Sequence, residues 1–304
     1  MERHLLGGTL AIATALVWSA AVIFYKKAER VPPLAVNLLK NLVALLLLVP
    51  TAGALGGAVE GFRACSSADA AILALSGFLG IALGDTLFFW SLRLAGAGLV
   101  SIADSTYVPF IFLFSWALLG ERLLPVQYGG AALIFAAVLL ASGHEPPPGR
   151  TRGQIVLGIA LCVLDMALMT FGIVIAKPAI ERTPLAVSTA IRVASGTASL
   201  ALGIALLPGR RVLFGALRPS REWRALLPAS LLGYASLLLW MGGFQNTYAS
   251  VAGVLNQTSS VFTILFAAWF LREPLTRRKS IALLAALAGV ALVMAPGLLE
   301  EALR

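Results

Sequence analysis

Apolar runs of about twenty residues recur along nearly the whole chain, and that one feature removes most folds. A helix rises ~1.5 Å per residue, so crossing a hydrocarbon core about 30 Å thick takes about 20 apolar residues. Ten segments have that character, with an occasional glycine or single charge: 7–26, 33–50, 69–92, 97–119, 124–142, 154–177, 183–207, 225–245, 249–271 and 276–296. Backbone groups find no water in lipid, so such runs must close their own hydrogen bonds as helices. The period-two alternation of spanning strands is absent. The sequence therefore predicts an all-α integral membrane protein with ten transmembrane helices. The first run resembles the apolar part of a signal peptide, but it is long and leads directly into further spans, so it reads as an uncleaved helix. The surrounding solvent is lipid: only 12% of residues are charged, against about a quarter in soluble domains.

One stretch occurs twice. Ala97–Leu140 laid over Ala249–Leu292 without gaps gives 11 identities in 44 positions. The rarer residues carry the information: Thr106 falls on Thr258, Phe110 on Phe262, Phe114 on Phe266 and Glu121 on Glu273, while Asp104 meets the near-isosteric Asn256. Pro33-Leu34-Ala35-Val36 also recurs as Pro184-Leu185-Ala186-Val187, each time opening the second helix of its half. A Pro/Gly-rich charged linker, 143–153, separates a first repeat, 1–142, from a second, 154–304. Five helices in each half make the halves enter the membrane in opposite senses, so the expectation is two inverted five-helix repeats.

The excess of basic residues, a formal +9, does not point to nucleic acid, because the cations lie in short connections and form no stripe or binding fold. Their reading is orientation of the helices and contact with lipid headgroups. Setting aside Lys40 and Arg192, the termini and even-numbered loops hold six Lys and Arg and the odd-numbered loops fifteen, which favours termini outside the cytoplasm. Two cysteines, Cys65 and Cys162, form no CxxC and imply neither a disulfide framework nor a metal site. His4 and His144 are too isolated to be ligands, and nothing implies a cofactor. Without a Walker A, HExxH or GxSxG motif, neither direct ATP coupling nor an intramembrane enzyme is indicated.

Intramembrane polar residues are functional candidates by default, since each needs a partner or water. Five ionisable side chains fall inside the spans: Lys40, Asp85, Asp104, Asp165 and Arg192. The fourth span carries Ser101, Asp104, Ser105 and Tyr107. In the ninth, Gly253, Asn256, Ser260 and Thr263 share one face of a continuous helix. Asp104 and Asn256 read as lining a cavity between the repeats, with Ser101, Tyr107, Ser260 and Trp18 as further candidates for substrate contact; helix-to-helix hydrogen bonding explains the hydroxyls equally well. Lys40 and Arg192 could bind an anionic group of a substrate, Arg192 in bidentate fashion, or pair with Asp85, Asp104 or Asp165. Asp85 and Asp165 are candidate proton carriers. Glu121 and Glu273 close helices at membrane ends, where a turn or an inter-helix hydrogen bond accounts for them. Gly129, Gly130 and Gly289 allow the fifth and tenth spans to approach closely.

These residues resemble the drug/metabolite transporter superfamily, in its ten-helix branch of two EamA-type repeats. The resemblance covers nearly the whole chain and rests on Trp18-Ser19, on Pro33 followed by Lys40 and Pro184 followed by Arg192, and on Gly120-Glu121-Arg122-Leu123 and Arg272-Glu273-Pro274-Leu275. Arg272 departs from the usual small residue before the glutamate. The resemblance implies a secondary transporter in a bacterial inner membrane, acting as a monomer, often exporting amino acids, metabolites or toxic compounds from a central cavity. It also implies cytoplasmic termini, opposite to the charge count. Lipid, a small-molecule substrate and protons are the expected partners; a non-transporting membrane scaffold and an exporter of drug-like compounds are the other readings.

Overall fold

In the computed structural model, which describes residues 2–28, 31–55, 57–141, 149–215, 217–218, 220–270 and 277–302, helix occupies each of the ten apolar runs and no strand occurs among the described residues. The first half contains α1 (Glu2–Lys26), α2 (Pro33–Leu55), a short α3 (Ala58–Ala64), α4 (Ser67–Gly77), a π-helical segment (Phe78–Gly84), α5 (Asp85–Asp104), α6 (Tyr107–Leu119) and α7 (Pro125–Ala141). The second contains α8 (Arg152–Arg182), α9 (Leu185–Leu206), a short α10 (Arg210–Gly215), α11 (Trp223–Asn246), α12 (Ala249–Asn256), α13 (Ser259–Phe270) and α14 (Arg277–Ala302). Among the described residues, seven helices are long and apolar enough to cross a membrane, and Pro125–Leu140 and Ser280–Pro296 are shorter apolar helices. The run 249–271 is divided between α12 and α13. Most of the proposed linker lies outside the described residues.

Helix ends follow local chemistry. Pro33 and Pro125 open α2 and α7, where the missing N–H costs nothing. Ser66 accepts from the Asp69 N–H at 3.0 Å to start α4. Thr151 and Gln154 form a reciprocal capping box at the head of α8. Gly120, at φ +66°, ends α6 in the left-handed conformation that favours glycine.

Contacts between the halves have a constant sum of residue numbers, the mark of antiparallel helices. On α1 and α11, the Gly243 α-carbon lies against Gly7 and Ala11, and Ser236 Oγ donates to the Thr14 carbonyl at 3.4 Å. On α8 and the rod of α4, the π segment and α5 as far as the kink at Gly96 (φ +76°), Gly158 meets Leu94 and Ala95, Gly84 meets Asp165, and Gly172 meets Ser76 and Leu79. Exchanging the halves turns the first of these pairs into the second. α2 with α9 and α7 with α14 each pair a helix with its own repeat counterpart, and α6 meets α12, the first part of the span that its counterpart α13 completes. Such a pattern is what two repeats related by a pseudo-two-fold axis produce.

The last of these interfaces depends on two glycines. A Cβ at Gly130 would lie 2.6 Å from the Gly289 carbonyl oxygen, and one at Gly289 would lie 2.6 Å from the Gly130 oxygen. Gly129 faces open space and takes no part in the approach. Ile134 packs on Gly289 at this seam, and away from it Ile111, Ile173, Phe244 and Leu255 fill the centre of the bundle; all five are fully buried.

Candidate substrate site

The fourth helix of each repeat is interrupted at the same place. α5 stops at Asp104 and α6 resumes at Tyr107; α12 stops at Asn256 and α13 resumes at Ser259. In both breaks a threonine hydroxyl turns back to the carbonyl three residues earlier, Thr106 to Ala103 at 2.6 Å and Thr258 to Leu255 at 2.7 Å. This explains the Thr106/Thr258 match, because a hydroxyl bonded to the backbone competes with the helical ladder. Pro109 adds to the first break by lacking an N–H for the Ser105 carbonyl. The breaks face one another: the Gln257 side chain reaches the Asp104 carboxylate, and Gly253 lies against the Tyr107 ring.

The interruption corrects one expectation. Gly253 and Asn256 lie before the break and Ser260 and Thr263 after it, so the four do not form one continuous helical face. Gly253 packs on Tyr107 and Ile111. With its amide turned to satisfy both ends, Asn256 donates to the Ala11 carbonyl at 3.0 Å and accepts from Trp240 Nε1 at 2.9 Å. That ties α12 to α1 and α11 and fixes the Trp240 indole. Ser260 is half-buried, and the Ser101 side chain lies outside the described residues.

Beside the breaks runs the π segment, which the sequence did not reveal. Widening the turn displaces the Ile81 carbonyl from the regular ladder, and Asn37 Nδ2 of α2 donates to it at 2.9 Å. Asn37 Oδ1 in turn accepts from Asn41 at 2.8 Å. Two glycines of the segment face charged side chains from the other half. A Cβ at Gly80 would lie 3.6 Å from an Arg192 Nη, and one at Gly84 would lie 2.8 Å from Asp165 Oδ1. Glycine at these positions makes room for both groups.

Lys40 and Asp85 form an ion pair at 2.6 Å, each side chain largely buried. Around the lysine stem, Trp18 and the Tyr25 hydroxyl pack on Gly233. Asp165 and Arg192 have no such arrangement. Asp165 is 0% exposed and Arg192 3% exposed, and neither Asp165 oxygen nor Arg192 Nε has a hydrogen-bond partner. The Arg192 guanidinium sits 5.0 Å from the centre of the Trp240 ring and donates to Met241 Sδ at 3.2 Å, a weak acceptor. Its cation–π contact is thus oriented by Asn256 through Trp240. Tyr107 is 4% exposed with an unpartnered hydroxyl, and it lies within electrostatic reach of Arg192, Asp104 and Asp165. One neighbourhood therefore gathers Lys40, Asp85, Asp104, Tyr107, Asp165 and Arg192, with Trp18 and Asn256 at its edge.

At one end of the bundle the halves are tied by polar contacts. Arg3 donates to the Gln245 carbonyl at 2.7 Å, and Arg182 pairs with Asp69 at 2.5 Å. Glu121 accepts from the backbone N–H of Ala249 at 2.8 Å, the N–H of Ser250 at 2.9 Å and the Ser250 hydroxyl at 2.6 Å. A carboxylate reaching across from the end of α6 thus caps the positive end of α12. Its repeat counterpart Glu273 lies outside the described residues.

Paired repeats, helices broken at matching points and charged groups buried between the halves define a small-molecule carrier of the membrane. The chain belongs to the EamA-like transporter family, which matches it twice, over residues 5–143 and 156–295. An uncharacterized transporter of Archaeoglobus fulgidus is 24% identical over 308 residues, covering 95% of this chain and 98% of the relative. A solved crystal structure superposes with a TM-score of 0.77, covering 95% of this chain and 98% of its own, at 19% identity. That likeness speaks for the fold alone.

Proposed function

We propose that the protein is a secondary transporter that exports small metabolites, amino acids or related organic solutes, by alternating access of its two repeats. Arg192 and Asp165 carry this reading: opposite charges, both buried, both with unpartnered polar atoms, about one turn apart along one π segment. Burying an unpaired charge costs several kcal/mol, so a protein that retains two of them gains something else from them. The Arg192 guanidinium offers Nε and one edge to a carboxylate. Asp104, Tyr107 and Ser260 line the substrate's path at the helix breaks, while Trp18 and Asn256 shape it. Of the two candidate proton carriers, Asp165 is the better placed, because Asp85 is already engaged by Lys40. The repeats correspond to 1–142 and 154–304 joined by 143–153, the working unit is one chain, and the membrane is a bacterial inner membrane.

The test is uptake and efflux by purified protein in proteoliposomes, with a mixed pool of labelled amino acids and small organic anions, with and without a pH gradient. Movement of one chemical class, enhanced by the gradient, is the expected result. No movement of any member by a folded protein would contradict it and favour a non-transporting role; movement of hydrophobic cations alone would favour a drug exporter.

A further inference from the structure

A second feature lies far from the helix breaks, at the end of the bundle where α2 begins and α9 stops. There Pro33, Leu34, Trp90, Arg93, Gly209 and Leu213 line an open cleft of about 290 Å³. Its walls are apolar except for Arg93. Trp90 and Arg93 are one turn apart on α5, the Trp90 ring is half exposed, and Arg93 is exposed, an arrangement suited to the boundary between hydrocarbon and headgroups. Exposed apolar side chains adjoin the cleft in sequence on both sides of Gly209: Leu206, Leu207 and Phe214.

The segment that follows Gly209 in the chain is strongly basic. From Arg210 to Arg224 the chain carries five arginines, Arg210, Arg211, Arg218, Arg221 and Arg224, against one acid, Glu222. Arg210 turns back to the Ala205 carbonyl at 3.2 Å and closes the end of α9. The other four are exposed. The ion pairs among the described residues are Lys40–Asp85, Lys177–Glu181 and Arg182–Asp69, so no described carboxylate pairs with this segment's arginines or with Arg93.

We infer that this cleft is a binding site for one anionic phospholipid, with an acyl chain along Pro33, Leu34 and Leu213 and the phosphate held by Arg93. An apolar trough lined at one side by the unpaired Arg93, with a basic segment following in the chain, matches the two halves of such a lipid and matches no water-soluble anion, which would leave the trough wet. Because α2 and α5 both border the cleft and also carry Lys40 and its ion-pair partner Asp85, an occupied cleft braces the two helices that bring this pair to the centre.

Native mass spectrometry of the purified full chain, titrated with phosphatidylglycerol or phosphatidylcholine, tests this. One phosphatidylglycerol is retained in preference to phosphatidylcholine; Arg93→Ala weakens retention about fivefold, the effect of one cation near an anionic surface. Leu213→Trp, which fills the trough, abolishes it. Circular dichroism confirms that each variant is folded. Equal retention of the two lipids, unchanged retention in Arg93→Ala and Leu213→Trp, or displacement by millimolar glycerol phosphate overturns the assignment, the last by making the occupant a soluble anion.

Discussion

Replacing Glu121 by alanine removes three acceptor contacts at once, two of them from the first N–H groups of α12. Hydrogen bonds to a charged partner contribute about 1.5–3 kcal/mol each, but the three share one carboxylate and are not additive. The carboxylate also faces the positive end of a helix, adding about 0.3–1 kcal/mol. The site is only partly buried, so water takes over some of the lost bonding. The net expectation is a destabilisation of about 3 kcal/mol, roughly a hundredfold in the unfolding equilibrium. Glu121→Gln keeps one carbonyl acceptor for the two amides and is expected to cost about 1 kcal/mol. Equilibrium unfolding in mixed micelles, followed by circular dichroism, measures both. A Glu121→Ala protein within about 0.5 kcal/mol of wild type would refute the view that this glutamate fastens the two halves, since that is the range of an ordinary surface change.

The glycine seam gives a matched control: Gly130→Ala forces a methyl against the Gly289 carbonyl and is expected to destabilise by about 1–3 kcal/mol, whereas Gly129→Ala, facing open space, leaves the unfolding midpoint within experimental error. Lys40→Leu leaves the Asp85 carboxylate buried and unpaired, at a cost of about 3 kcal/mol, and the double change with Asp85→Leu recovers most of it in the same micelle assay. Asp104→Ala is expected to abolish substrate movement in proteoliposomes while the protein stays folded and inserted; transport at the wild-type rate would remove Asp104 from the substrate path.

Hydropathy and the duplicated stretch were enough to predict an all-helical membrane protein with two repeats, because length and apolar character alone decide which segments can sit in lipid. The positions that matter most at the centre follow different rules. Projecting Gly253, Asn256, Ser260 and Thr263 onto one face assumes an unbroken helix, and the turn at Gln257-Thr258 defeats that arithmetic. The signal was present in the Thr106/Thr258 match, a residue type that turns back on its own backbone. The π segment left almost no trace, since one extra residue in a turn does not alter hydropathy; only the spacing of Gly77, Gly80 and Gly84 marks it. The choice of Asp85 as partner for Lys40 was equally hidden, because 45 residues separate them and two other acids competed. Asn256 was recognisable as an intramembrane polar group, but its bonds to Ala11 and Trp240 depend on which helices pack beside it.

The most direct measurement is the initial rate of transport by Arg192→Ala and Asp165→Asn in proteoliposomes, each checked for folding and insertion and measured at several pH values with the solute class that wild type moves. If these two buried groups bind substrate and carry the coupling proton, Arg192→Ala transports nothing and Asp165→Asn loses the enhancement by a pH gradient. Wild-type rates in Arg192→Ala, together with an unchanged gradient response in Asp165→Asn, would contradict the account.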